Sequence, residues 1–198
     1  MKGSMKKLAV FVVIATIATF ISAAIAKDGK GKHGEKNYCK AIHGEYAATS
    51  VVSCNNYIPN PDGTIKITSG TATQLTTYTF NSDGTGTVQG RFVMIGFSPP
   101  QSEPFFDMAW DFTYEVEDDG TITMDAVPGT GLFKSPGTDF VVYTLTGGTS
   151  SDSGRFSQDH KTIILGTAEP NDTVLTLYNG VVFHTKCNAS RVLIRVGE

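Results

Sequence analysis

From residue 106 onward the chain alternates. Phe106, Met108, Trp110, Phe112, Tyr114 and Val116 stand at every second position, separated by Asp107, Ala109, Asp111, Thr113 and Glu115. A period of two puts successive side chains on opposite faces of a strand, so this stretch predicts a long antiparallel strand with one apolar and one wet face. Glu117-Asp118-Asp119-Gly120 is a hairpin turn and 121–124 the return strand. Similar units flank it. Thr73–Phe80 and Thr85–Ile95 are joined by Asn81-Ser82-Asp83-Gly84. Gly154–Ser157 and Thr162–Thr167 are joined by Gln158-Asp159-His160-Lys161, and Thr173–Tyr178 and Val181–Thr185 by Asn179-Gly180. Strands are also expected at Tyr46–Val52, Phe140–Thr146 and Ser190–Val196, with prolines between strands.

Consecutive hairpins without intervening helices predict an all-β fold. The expected form is an antiparallel meander of about 8–10 strands closing into a barrel, with a β-sandwich as the alternative, since both limit exposed sheet edges. Residues 38–198 are expected to form this single domain.

The segment before it reads differently. Lys2, Lys6 and Lys7 precede an apolar run from Leu8 to Ile21, and Ala24-Ile25-Ala26 offers a small-x-small cleavage site. That order predicts a signal peptide over residues 1–26, cleaved after Ala26, and a secreted or periplasmic protein with no stable membrane insertion afterwards. Residues 27–37 are Gly- and Lys-rich with almost nothing to bury, the composition of a disordered basic arm. The chain's formal charge is −3, and removing three lysines with the leader makes it −6. That balance gives no electrostatic reason to bind nucleic acid.

Three cysteines in an exported chain allow one disulfide and leave one thiol over. If the first and last strands pair antiparallel, the end of one lies beside the start of the other. Cys54–Cys187 is then the expected bond, with Cys39–Cys187 next. Cys39 is the candidate for a cross-link to a second copy.

Catalytic signatures are absent. There is no G-x-S-x-G, Walker loop, H-E-x-x-H or dinucleotide fingerprint, and no CxxC. The four histidines are not spaced to share a metal, and no cofactor is implied. Asp107, Asp111 and Glu115 share a strand face, but acids on a wet face lack the opposed, partly buried geometry of glycoside chemistry. The candidate site is instead the aromatic face itself. Phe92, Met94, Phe106, Met108, Trp110, Phe112 and Tyr114 either line a cavity for an apolar ligand or fill a solid core.

Three short motifs give the chain a resemblance to calycins, the group that includes lipocalins and avidin-like proteins. Gly44-Glu45-Tyr46 resembles the lipocalin G-x-W, with Tyr for Trp, and Thr138-Asp139-Phe140, followed by Tyr143, resembles T-D-Y. Arg191 or Arg195 corresponds to the arginine that packs over the first motif. The resemblance implies a closed meander barrel with a small hydrophobic molecule in its mouth. The functional expectation is accordingly an exported, non-enzymatic protein binding a small apolar or amphipathic ligand. The alternatives are a surface or matrix interaction protein with a solid core, and a small-barrel enzyme of the cyclase or isomerase kind.

Overall fold

The computed structural model describes residues 38–95 and 105–197. The expected signal peptide (1–26) and basic arm (27–37) lie outside them, as do residues 96–104. A five-residue helix, α1 (Tyr38–Ile42), precedes eleven strands: β1 (Gly44–Pro59), β2 (Ile65–Phe80), β3 (Thr85–Ile95), β4 (Phe105–Val116), β5 (Thr121–Ala126), β6 (Gly131–Lys134), β7 (Val141–Thr149), β8 (Ser151–Phe156), β9 (Thr162–Gly166), β10 (Asn171–Leu177) and β11 (Val182–Arg195).

Every pairing is antiparallel, and the order returns on itself. β1, β2, β3, β4, β5, β8, β9 and β11 form a ring that β1 and β11 close, so the predicted all-β meander barrel is what the chain builds. A second path, through β6, β7 and β10, also bridges β4 to β11. The two paths occupy different levels of one wall. On β4, Asp107–Ala109 pairs with β6 and Phe112–Val116 with β5. On β11, Val182–Cys187 pairs with β10 and Ser190–Ile194 with β9. Thus β5/β6, β7/β8 and β9/β10 are three interrupted strands of an eight-strand meander.

Specific side chains bridge the interruptions. Thr130 Oγ1 accepts from the Asp111 amide at 2.9 Å, where β4 passes from β6 to β5. Asn171 Oδ1 accepts from the Ser151 amide at 2.8 Å. Thr167 Oγ1 accepts from the Ala189 amide at 3.0 Å. Backbone groups freed by each break are thereby satisfied. Just before the β7/β8 break, Gly148 has φ +90, and a Cβ there would stand 2.1 Å from the Asp172 carbonyl oxygen. No other residue type fits that approach without a shift of backbone.

Several sequence expectations change. The two strands expected at Val181–Thr185 and Ser190–Val196 are one, β11, and β1 runs on through Cys54, so both cysteines lie within strands. Pro59 is the last residue of β1, not a linker residue, and β6 lies between Pro128 and Pro136, where the sequence pattern predicts no strand. The strand expected from Phe140 begins at Val141. No helix among the described residues is long and apolar enough to cross a membrane.

Candidate functional site

The barrel interior is divided by level. At the end where β1 begins, hereafter the base, side chains pack solidly. Tyr46, Tyr78, Phe80, Val88, Phe112, Tyr114, Ile122 and Leu193 form one buried cluster, and Ile42 of α1 is buried in it. Phe80 stands edge-on to Tyr46, Phe112 and Tyr114, with ring centroids 5.3, 5.1 and 5.0 Å apart, the geometry aromatic quadrupoles favour. The Tyr114 hydroxyl donates to the Asn81 carbonyl, and burial pushes its pKa well up.

Towards the other end, the mouth, the same inward face borders a cavity of about 250 Å³. Phe92, Phe106, Phe133, Tyr143, Leu175 and Phe183 form much of its wall. Phe106, Tyr143, Phe133 and Phe183 meet edge to face around it, with Tyr143 centroids 5.3 Å from Phe106 and 6.0 Å from Phe183. The cavity reaches solvent at Asn179 and Val181, which are exposed and lie at its rim. Its wall carries the disulfide: Cys54 and Cys187 are directly opposite in the β1–β11 ladder and bonded, S–S 2.02 Å.

A buried polar layer separates cavity from core. Ser50, Gln74 and Arg191 are neighbours across β1, β2 and β11. Arg191 is only 5% exposed, and Gln74 and Arg191 both line the cavity. Arg191 Nε donates to Asp152 Oδ2 at 2.8 Å, and Nη1 donates to Gln74 Oε1 at 2.7 Å. Asp152 is carried in by β8, just past the interruption at Ser150. Tyr78 lies close enough to feel both charges; burial chiefly raises its pKa, Arg191 lowers it and Asp152 raises it. Ser50 Oγ, Tyr78 Oη and Asp152 Oδ1 are buried without a hydrogen-bond partner among the described residues.

The aromatic residues singled out in the sequence divide between the two levels. Phe92, Met94, Phe106 and Trp110 line the cavity. Phe112 and Tyr114 belong to the packed base, and Met108 is buried without lining the cavity. Trp110 touches both, lining the cavity while packing on the base cluster. The opposite wall, from β6, β7 and β10, was not anticipated, nor was the Arg191–Asp152–Gln74 layer. Cys39 is a half-buried free thiol whose pKa burial raises, beside the base.

Of the motif residues, Tyr46 has the Arg195 guanidinium 5.9 Å from its ring centroid. Arg195 also donates to the His43 carbonyl at 2.6 Å. Thr138-Asp139-Phe140 lies in the β6–β7 connection, where Asp139 is fully exposed and pairs with Lys134 at 3.2 Å.

No family model and no curated protein matches the sequence. Among solved structures, the enduracididine biosynthesis enzyme MppR, complexed with the condensation product of pyruvate and imidazole 4-carboxaldehyde, is similar at 9% identity. The match covers 79% of this chain and 89% of that one, with a TM-score of 0.15, and carries no argument about fold or function.

No Asp, Glu, His or Lys among the described residues lines the cavity. Burial pushes the Tyr143 hydroxyl up to about 12, so it keeps its proton at neutral pH. Arg191 holds a fixed charge, already matched by Asp152. Among the described residues, no group facing the cavity is poised to exchange a proton near neutrality.

Proposed function

We propose that this is an exported, non-enzymatic binding protein that holds one small apolar or amphipathic molecule in the mouth half of its barrel. The observation that carries the reading is the divided interior. The same strands that pack solidly at the base leave a cavity of about 250 Å³ above it. Small barrels normally fill their interior with side chains. A cavity walled by aromatic and aliphatic groups, with a few convergent polar ones at one end, has the composition of a small-molecule site and lies just below the usual size range. It favours this reading over an interaction protein with a solid core. That no Asp, Glu, His or Lys stands among the described wall residues favours it over a cyclase or isomerase.

Export is supported by two features. The leader over residues 1–26 has the order of a signal peptide, and an intramolecular disulfide persists best in an oxidising compartment. The arginine resting over Tyr46 is consistent with a calycin-like barrel.

Native mass spectrometry of protein recovered from the exported fraction of expressing cells tests the proposal. The expected result is a chain lacking residues 1–26 that retains, or takes up from a lipid extract, a single adduct of a few hundred daltons. A clean apo mass before and after exposure to the extract would overturn it.

A further inference from the structure

The polar layer beneath the cavity bears on what kind of molecule fits. Arg191 is the only ionisable cation among the described lining residues. An arginine at the bottom of an apolar pocket invites the assumption of a carboxylate ligand, because bidentate Arg–carboxylate pairing is strong. Here that role is taken. Asp152 Oδ2 lies 2.8 Å from Nε, both side chains are over nine-tenths buried, and the pair is neutral as a unit. A ligand carboxylate arriving at this floor would bring a second negative charge into a low-dielectric site with one cation, beside Asp152. Burying an uncompensated charge is among the costliest events a site can impose. No lysine or histidine among the described residues lines the cavity to offset it, and the chain's formal charge of −3 does not draw anions towards it.

Gln74 supplies the complementary fact. Its oxygen must face Arg191, because the guanidinium has only donors. The amide nitrogen therefore points away from Arg191, and Gln74 makes no second hydrogen bond among the described residues while lining the cavity. The floor thus offers a neutral N–H donor with no acceptor among the described residues, next to a charge-balanced ion pair. A ligand oxygen placed there gains a hydrogen bond, whereas an apolar group strips the amide of its water.

We propose that the cavity selects an uncharged ligand with an apolar body and a hydrogen-bond-accepting head, a ketone, aldehyde, ester or alcohol oxygen, that accepts from the Gln74 amide at the floor. The inference rests on the binding function above and specifies its ligand class.

The chain has a single tryptophan, Trp110, and it lines the cavity, so its emission reports occupancy without a label. Full-chain protein is titrated at neutral pH with decan-2-one and with decanoate, which share chain length and differ in head group. Decan-2-one is expected to bind tighter than decanoate by about tenfold or more. In Gln74→Met, which deletes the amide donor without adding a charge, affinity for decan-2-one is expected to fall by about tenfold. Circular dichroism confirms that the variant is folded; if it is not, Gln74→Leu serves in its place. Decanoate binding as tightly as the ketone in the wild type would overturn the head-group inference and leave the binding function standing. So would ketone affinity unchanged in a folded Gln74 variant. If neither probe changes Trp110 emission and native mass spectra show no adduct, the binding function fails and this inference with it.

Discussion

At the scale of single residues, the most consequential feature is a charged pair where a barrel of this size would ordinarily place aliphatics. Arg191 and Asp152 face each other at 2.8 Å, 5% and 7% exposed as residues. Taking both from water costs several kcal/mol per ion, which their attraction offsets only with good geometry and further hydrogen bonds. Gln74 provides one such bond; Asp152 Oδ1 has none among the described residues. The pair is therefore poor as a source of stability and severe as a liability when halved. Arg191→Met leaves a buried carboxylate alone, and Asp152→Leu leaves a buried guanidinium, so each is expected to cost ~3–5 kcal/mol. The double variant Arg191→Met/Asp152→Leu removes both charges and is expected to regain most of that loss. Urea unfolding followed by Trp110 emission measures all three. Single variants losing under about 1 kcal/mol would mean that the layer is better hydrated than its burial implies.

At the scale of elements, one turn design recurs. After β1, β2, β4 and β8, an aspartate accepts from the backbone amide two residues on: Asp62 from Thr64, Asp83 from Thr85, Asp119 from Thr121 and Asp159 from Lys161. Asp62 and Asp83 also accept from the threonine hydroxyl, and Asp159 from that of Ser157. These bonds are made to the ionised carboxylate. They hold all four aspartates below their ordinary pKa, with the side-chain hydroxyl the largest cause in each. A carboxyl with a depressed folded pKa contributes its stability fully above its unfolded value, about 3.9, and loses it as pH falls through the folded value. The melting temperature is therefore expected to drop as pH is lowered below about 4. Replacing the four with Asn keeps an acceptor oxygen and removes the titration, so the quadruple variant should show a flatter acid limb. Identical limbs would assign the acid sensitivity elsewhere. The Asp83-Gly84, Asp119-Gly120 and Asn179-Gly180 turns made their hairpins legible in the sequence. What hid the rest was physical. Across β11 the inward positions are Phe183, Thr185, Cys187, Ala189, Arg191 and Leu193. Their polar members face the cavity and its floor, so the apolar pattern lapses and one strand reads as two. β6 has four residues and α1 five, too few to display a period. Alternation along β3 and β4 reports which face a side chain takes, but not its level along the barrel. It therefore could not separate cavity-lining Phe92 and Phe106 from packed Phe112 and Tyr114, nor show what β7 and β10 place opposite.

At the scale of the molecule, closure depends on one seam between the first strand and the last. The β1–β11 ladder runs from Tyr46 opposite Arg195 to Tyr57 opposite His184, joining residues more than a hundred positions apart. Such non-local pairing returns nothing until most of the chain's loop entropy has been lost. The disulfide changes that reference state. Cys54 and Cys187 are 133 residues apart in sequence, and a covalent loop of that length removes roughly 5 kcal/mol of unfolded-chain entropy at room temperature in the loop-closure treatment. Typical domains retain only about 5–15 kcal/mol in all. The Cys54→Ala/Cys187→Ala chain is thus expected to lie much closer to its unfolding threshold, with a lower urea midpoint. The slope of its transition carries the mechanism. If the bond acts on the unfolded chain, removing it lets that state expand and expose more surface, so the denaturant dependence steepens as the midpoint falls. If the midpoint falls with the slope unchanged, the bond acts in the folded barrel, by holding β1 against β11 where both border the cavity. An unmoved midpoint would show that the hydrogen-bonded ladder closes the ring unaided.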